Sequence, residues 1–285
     1  MTAIPDSARP TSATSDSIPV FSTPAPSGHP VRSADSTGKY PHAGFYNLRE
    51  AGGLHAANGR IRTGRLLRSD FPSAISLDAA EFFLGLPLGV VIDLRDPDEI
   101  DTTPKVFWDA GFSVVERPIF SGSIASMTTG VPGVKQLYLT MLERFPVQLA
   151  AAVGDVANSV EGGAVLVHCT AGKDRTGMVI ALIQSLLGAR DDDVIATYAR
   201  TQANLSGEWL IGMHAKLRQL AQRDAQFAQL NVSDLDPLLA GSPPEAMRSA
   251  LDWIDRTSGS AETFLRDNGL EVDQVNVLRE VLLVT

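Results

Sequence analysis

The most constraining feature of this sequence is a continuous strand–loop–helix pattern in the second half of the chain. The apolar run Ala164–Val167 follows two glycines and predicts a buried strand. The polar loop His168–Arg175 comes next, and the apolar stretch Met178–Leu187, which Gly188 ends, predicts a mostly buried helix. A loop between a strand and a helix N-terminus is a natural anion site, because backbone N–H groups and the helix dipole both face it.

Two residues of this loop have the chemistry of a phosphate-ester hydrolase. Cys169 is the only cysteine among 285 residues. A free thiol has a pKa of about 8.5, which a helix N-terminus and neighbouring cations lower to about 3.5–7.5. Arg175 lies six residues further on, and its planar guanidinium can hold two phosphoryl oxygens. The pair predicts attack of the Cys169 sulfur on phosphorus, followed by hydrolysis of the phosphocysteine.

The other loop residues are expected to support this reaction. We expect the following to bind the substrate phosphate: Thr170, Ala171, Gly172, Lys173 and Thr176. The Lys173 side chain is expected to bind a second phosphate or an acidic substrate face, or else to lie in solvent. The Thr176 hydroxyl is expected to donate to the thiolate, with a helix N-cap as the alternative. His168 is expected to hydrogen-bond loop carbonyls and so orient Cys169.

The segment His168–Gly177 resembles the signature loop of the cysteine-dependent protein tyrosine phosphatases. More narrowly, it resembles that of the bacterial tyrosine/serine phosphatases, a group that includes phosphoinositide-active members. Four other segments carry the same resemblance: Asn47–Gly53, Gly64–Asp70, Val91–Arg95, and Gly259–Ser260 with Phe264–Leu265. The resemblance extends from about Pro41 to Leu283. It implies a phosphatase that acts on phosphotyrosine, with phosphoserine, phosphothreonine and phosphoinositides as further substrates.

The general acid has two candidates in the sequence. The leaving oxygen needs a proton, which a carboxylic acid usually supplies. Many tyrosine phosphatases carry this acid before the signature loop, but here Val115–Ser121 contains no Asp. The resemblance favours Asp174, whose alternative role is a carboxylate that interacts with the helix dipole. The second candidate is Asp93, whose alternative role is a salt bridge that orients Arg175 or Arg95.

The predicted elements alternate along the chain and indicate an α/β fold. Further strands are predicted at Arg65–Arg68, Val90–Leu94 and Phe112–Glu116. Helices are predicted at Asp78–Leu84, Val134–Arg144, Pro146–Asn158, Gly177–Leu187, Asp191–Ala199, Glu208–Leu230, Pro244–Arg256 and Ala261–Asn268. This order predicts a protein tyrosine phosphatase-like fold, with a central, mostly parallel sheet flanked by helices.

Composition divides the chain into an arm and a domain. Ser, Thr and Pro fill half of the first 38 positions, so we expect residues 1–40 to be a disordered arm. Residues 41–285 suit one catalytic domain.

The chain has a formal net charge of −9 and therefore lacks the excess of basic residues that nucleic-acid binders have. Positive charge is therefore expected locally, and Arg49 is expected either to reach the site or to form a structural ion pair.

Further expectations concern location and cofactors. A lone, reactive cysteine favours a reducing compartment, so we expect a cytoplasmic enzyme, with leaderless secretion as the alternative. No apolar stretch approaches the roughly 18 residues of a membrane span. The histidines lack metal-ligand spacing, and no metal or cofactor is expected. Two other functions stay open, an inert phosphate-binding module and a sulfurtransferase or arsenate reductase. The oligomeric state is also open.

Overall fold

The computed structural model describes residues 39–40, 44–120, 133–223 and 232–285. Its strands are β1 (Arg49–Glu50), β2 (His55–Ala56), β3 (Gly59–Ile61), β4 (Leu66–Ser69), β5 (Leu88–Asp93), β6 (Ser113–Glu116), β7 (Ala164–His168) and β8 (Leu283–Val284). The main sheet has the order β1-β4-β7-β5-β6, and a small sheet has the order β2-β3-β8. In the main sheet β4, β7, β5 and β6 are parallel, whereas β1 is antiparallel to β4. The predicted mostly parallel sheet is confirmed.

Helices surround the main sheet. They are α1 (Leu77–Gly85), α2 (Pro97–Asp101), α3 (Val106–Asp109), α4 (Val134–Arg144), α5 (Pro146–Val160), α6 (Asp174–Leu186), α7 (Asp191–Leu205), α8 (Glu208–Arg223), α9 (Asp236–Leu239), α10 (Pro244–Ser258), α11 (Ala261–Asp267) and α12 (Val272–Leu282). A short 3₁₀ helix, Val232–Leu235, precedes α9. None of these described helices is both long and apolar enough to cross a lipid bilayer.

The central strand β7 contributes to apolar cores on both sides of the sheet. Side chains alternate between the two faces of a strand. Val165 and Val167 belong to the core that includes residues of α4, α5, α6 and α10. Leu166, between them, belongs to a second core with Phe83 of α1 and Phe107 of α3. A strand covered on both faces is apolar throughout, which explains the continuous apolar run in the sequence.

The register of the sheet brings the polar strand ends together. His168, the last residue of β7, pairs with Ser69 of β4 on one side and with Asp93 of β5 on the other. The segments that follow these three parallel strands therefore emerge at one edge of the sheet. This edge is the usual ligand crevice of such folds, and it is where the cysteine loop lies.

Several element boundaries differ from the expectation. Helix α6 begins at Asp174 and not at Gly177, and α7 continues to Leu205. The helix predicted to end at Leu230 is described as far as Arg223, and residues 224–230 lie outside the described part. Helices α2, α3, α9 and α12 and the small sheet were not predicted. Helix α12 begins with a capping box between Glu271 and Gln274, and not with the Ser, Thr, Asp or Asn that usually marks a helix start.

The N-terminal boundary also moves. Residues 1–38 lie outside the described part of the chain, so the disordered arm stays a prediction. Lys39 and Tyr40, which the sequence placed in that arm, belong to the folded part. The Tyr40 N–H donates to the Leu48 carbonyl oxygen at 3.1 Å, and Lys39 forms a β-bridge with Arg49.

Candidate active site

The cysteine loop connects β7 to α6 and requires a glycine at its centre. Cys169 directly follows β7, and α6 starts at Asp174. Gly172 has a φ of +63°, a left-handed conformation that favours glycine. A Cβ atom at this position would lie 2.2 Å from the Ser69 carbonyl oxygen. The close approach to β4 and the backbone conformation together explain why glycine stands at position 172.

The loop carbonyls are bonded from outside the loop. The Asn47 side-chain amide donates to the carbonyl oxygens of Ala171 at 3.0 Å and Gly172 at 3.1 Å. The Phe71 N–H donates to the Thr170 carbonyl oxygen at 3.1 Å. In a trans peptide the C=O and the next N–H point in opposite directions. The N–H groups that follow these carbonyls are therefore directed to the other side, towards the centre of the loop.

Cys169 lies at the positive end of α6, close to buried cationic side chains. It is 2% exposed. Buried Arg68 donates to the Gly172 carbonyl oxygen at 2.5 Å. Burial lowers the pKa of Arg68 to about 10, and the negative charge of a Cys169 thiolate is the largest opposing influence. A helix N-terminus and nearby cations are the conditions that favour a thiolate.

The residues next to the cysteine fit their expected supporting roles. His168 Nδ1 lies 3.3 Å from the Cys169 carbonyl oxygen, and the ring packs against Phe107 with 5.1 Å between the ring centroids. Burial lowers the pKa of His168, and the charge of Asp93 opposes this shift. The buried Thr176 hydroxyl has no hydrogen-bond partner within the described residues, so it is available to a thiolate. The alternative N-cap role of Thr176 is wrong, because α6 starts earlier.

Arg175 is held by Glu99, which the sequence analysis did not identify. Arg175 Nη2 donates to Glu99 Oε1 at 2.9 Å, and Nη1 bonds the other carboxylate oxygen. Thr170 donates its hydroxyl to the same carboxylate. Burial raises the pKa of Glu99, but the hydrogen bond and charge of Arg175 outweigh it and bring the pKa to about 2. A guanidinium has five N–H donors, so this pair leaves others for phosphoryl oxygens.

Asp93 is enclosed and fully engaged. It is 0% exposed, and Arg95 donates to it from Nε at 2.9 Å and from Nη2 at 2.6 Å. His168 Nε2 lies 3.6 Å from Asp93 Oδ2. Burial raises the pKa of Asp93, but His168 and Arg95 outweigh it, so the pKa lies below its usual value. Asp93 therefore forms the salt bridge with Arg95 that the sequence offered as its alternative role.

Asp174, the other candidate, is more exposed than Asp93. It is the first residue of α6, next to Arg175, and its side chain is 22% exposed. The Tyr138 hydroxyl donates to Asp174 Oδ1 at 3.1 Å, and Lys173 Nζ lies 3.5 Å from the same oxygen. The carboxyl group is therefore fixed at one oxygen and still reachable from the crevice.

Comparison with known proteins places this site in a family. The model of the tyrosine phosphatase family matches residues 40–284. The chain belongs to the tyrosine phosphatase family. This phosphatase is 35% identical over 243 residues to a Cupriavidus necator protein named as a tyrosine-protein phosphatase, with 80% of this chain and 82% of that protein covered. It is 30% identical over 202 residues to the triple specificity protein phosphatase PtpB of Mycobacterium tuberculosis, with 67% and 70% covered.

The Lys173 side chain of this phosphatase does not lie where the sequence suggested. It is 0% exposed, and Nζ donates to the Leu238 carbonyl oxygen and, at 2.9 Å, to that of Gly241. It therefore neither lies in solvent nor faces a second substrate phosphate. Its ammonium group instead joins the cysteine loop to the segment around α9 and lies 3.5 Å from Asp174 Oδ1, so Lys173 offers only its backbone N–H to a phosphoryl group in the loop.

Arg49 contacts the cysteine loop of the phosphatase indirectly, through Asn47. It is buried and donates to the Asn47 carbonyl oxygen at 3.1 Å and to the Thr201 hydroxyl at 2.8 Å. Burial, followed by the charges of Arg68 and Arg200, lowers its pKa. Arg49 thus supports Asn47, which bonds the loop carbonyls. Within the described part of the chain Arg49 shows this contact with Asn47 and neither of its two expected roles, direct access to the site or an ion pair.

Three site residues were missed for different reasons. Glu99 had a detectable signal, because Asp96 and Glu99 have the capping-box spacing and both hydrogen bonds of the box form. Asn47 lies in a segment that carries the family resemblance, but neither Asn47 nor Tyr138 has a local signal for its contact with the loop, because both contacts depend on tertiary packing. Within the described residues, no group of three or more His, Cys, Asp or Glu side chains is arranged to hold a metal ion.

Proposed function

We propose that this tyrosine phosphatase hydrolyses phosphate monoesters through a phosphocysteine at Cys169. The observation that carries the proposal is the placement of Cys169 in a loop that directs N–H groups to its centre, while Glu99 holds Arg175 beside it. Loop amides and a guanidinium are suited to the oxygens of a phosphoryl group. They stabilise the charge that develops there as sulfur attacks phosphorus.

The reaction has two balanced steps. In the first, the Cys169 thiolate forms an S–P bond, the P–O bond to the leaving group breaks, and Asp174 gives its proton to the leaving oxygen. In the second, water attacks phosphorus, the Asp174 carboxylate accepts a proton from that water, and the S–P bond breaks to release phosphate and the thiolate.

Asp174 is the proposed acid because its surroundings differ from those of Asp93. Asp174 lies beside Arg175 and is partly exposed, so it can reach a leaving oxygen. Asp93 is enclosed, and Arg95 and His168 favour its ionised form.

The proposed substrates are phosphotyrosine and, beyond it, phosphoserine, phosphothreonine and phosphoinositides. The name of the mycobacterial relative, a triple specificity protein phosphatase, supports this range of substrates. We place the enzyme in the cytoplasm, because its single cysteine is the proposed nucleophile and a reactive free thiol survives best in a reducing compartment.

Phosphate release from the full chain tests this function. The substrates are para-nitrophenyl phosphate, phosphopeptides with each of the three phosphorylated side chains, and phosphoinositides. Cys169→Ser should abolish turnover but still bind a phosphotyrosine peptide, because the loop amides and Arg175 remain. Turnover by Cys169→Ser above a few per cent of wild type would show that another group attacks phosphorus. Inert wild-type protein would indicate a phosphate-binding module.

Leaving-group dependence tests the acid. Loss of general acid catalysis typically costs about 10²–10⁴-fold. Asp174→Asn should therefore lower kcat/KM, which reports the step that expels the leaving group, strongly for phosphoserine and much less for para-nitrophenyl phosphate, whose leaving group needs little protonation. It should also flatten the alkaline limb of the kcat/KM profile. Asp93→Asn should lower activity equally for all leaving groups. The reverse pattern would assign the acid to Asp93.

A further inference from the structure

Two buried tyrosines form a hydrogen-bonded pair that ends on Asp174. Tyr138 comes from α4 and Tyr198 from α7, and both side chains are at most 1% exposed. Their hydroxyl oxygens are 2.8 Å apart, and their rings meet edge to face with 5.8 Å between centroids. Tyr138 Oη is also 3.1 Å from Asp174 Oδ1. Three helices thus meet at one carboxyl group.

We propose that Tyr138, supported by Tyr198, is the positioning residue that selects Oδ2 of Asp174 as the oxygen that carries the catalytic proton. The inference rests on the proposed role of Asp174 as general acid and adds which of its two carboxyl oxygens carries the proton. The two hydroxyl groups, of Tyr138 and Tyr198, are buried and lie outside the cysteine loop in the sequence.

The direction of the hydrogen bonds follows from counting protons. A hydroxyl group has one proton to donate, and a carboxylate oxygen only accepts. When Asp174 is ionised, the Tyr138 proton must point to Oδ1, so the bond between the tyrosines uses the Tyr198 proton. Burial, followed by the charge of Asp174, raises the pKa of both tyrosines. Both hydroxyls therefore stay protonated and remain donors throughout the working pH range.

The surroundings of the two carboxyl oxygens then differ. Oδ1 faces the Tyr138 hydroxyl and, at 3.5 Å, the Lys173 ammonium group, which has no acceptor. A proton on Oδ1 would face these donors. Within the described residues no hydrogen bond is formed to Oδ2, and the side chain is partly exposed. The proton that Asp174 carries is thereby directed to Oδ2, the oxygen that is free to face a leaving group.

A series of aryl phosphates with leaving groups of increasing basicity tests the proposal. In Tyr138→Phe the ring stays and the hydroxyl is lost, so kcat/KM should fall about tenfold for the most basic leaving group and little for the most acidic. Tyr198→Phe should shift the same dependence in the same direction by less. Tyr40→Phe is the matched control, because it removes another buried hydroxyl, one bonded to Glu50, and should leave the dependence unchanged.

The double variant separates positioning from a general loss of structure. In the Asp174→Asn background, Tyr138→Phe should have little further effect, because the acid that it aims is absent. An equal loss for all leaving groups, or an undiminished loss in the double variant, would overturn the proposal. If Tyr138→Phe does not fold, an unchanged dependence in Tyr198→Phe overturns it instead. A uniform loss in Asp174→Asn alone would refute the proposed acid itself.

Discussion

The Glu99 carboxylate bonds Arg175 and the Thr170 hydroxyl at the same time. Arg175 Nη2 donates to Glu99 Oε1 at 2.9 Å, and the Thr170 hydroxyl donates to that same oxygen. Glu99 is itself fixed at the start of α2, where its Oε2 accepts the Asp96 N–H at 3.1 Å. One carboxylate therefore sets both the direction of the arginine and the position of the loop next to the nucleophile.

Glu99→Gln should weaken catalysis while the fold is kept. Gln retains the shape but loses the charge, and a hydrogen bond to a charged group contributes about 1.5–3 kcal/mol. That range corresponds to a loss of about 10- to 150-fold in kcat/KM. Steady-state kinetics with para-nitrophenyl phosphate measures it. Asp98→Asn, a change at an exposed neighbour on α2, is the control and should behave as wild type. Wild-type kinetics in Glu99→Gln would contradict the role of this ion pair.

Arg175→Lys should be nearly as damaging as Arg175→Ala. Lysine keeps the positive charge but lacks the planar fork that bonds two phosphoryl oxygens and Glu99 together. Removal of one donor that stabilises transition-state charge costs about 10²–10³-fold in kcat, so both variants should lose at least about 100-fold. Arg190→Lys makes the same replacement at an exposed arginine and is the control, which should behave as wild type. A lysine variant with most of its activity would show that charge alone suffices.

Asp70 should make stability depend on pH on the acidic side of neutrality. It accepts the N–H groups of Tyr46 at 3.0 Å and Asn47 at 2.8 Å, and burial raises its pKa from 3.8 to about 6. Because the folded state holds the proton more tightly, stability is full below about pH 4 and falls as the pH rises through about 6. The shift corresponds to at most about 3 kcal/mol.

Urea unfolding of wild type and Asp70→Asn between pH 4 and pH 8 measures this dependence. The free energy of unfolding of wild type should fall relative to that of the variant as the pH rises, and the difference should level off above about pH 7. A difference that is constant across this range, or one that changes in the opposite direction, would contradict the raised pKa.

The cysteine loop was predictable because its parts are contiguous. Strand β7, the loop and α6 follow one another without interruption, so the periodicity around Cys169 and Arg175 determined the local geometry. The contact between Asp93 and His168 depends on strand register, which two neighbouring apolar strands do not define from sequence. Asp93 ends β5 as predicted, and the choice between Asp93 and Asp174 as the acid stays a prediction.

The partners of Lys173 and Asp174 could not be predicted for a related reason. Lys173 is bonded to Leu238, 65 positions away, and Asp174 to Tyr138, 36 positions away. Neither contact follows from helical or strand periodicity, because each depends on how separate helices pack around the loop. A lysine in a polar motif is expected to have an exposed side chain, but a segment distant in sequence buries the side chain of Lys173.

Trapping of the phosphoryl-enzyme tests the central claim, nucleophilic attack by Cys169, most directly. Asp174→Asn with para-nitrophenyl phosphate should accumulate the intermediate, because formation needs little acid whereas hydrolysis lacks its base. Rapid quenching and peptide mass spectrometry should then find one phosphoryl group on Cys169, and none in the Cys169→Ser, Asp174→Asn double variant. A burst of para-nitrophenol without phosphorylated Cys169, or with the phosphoryl group on another residue, would contradict the account.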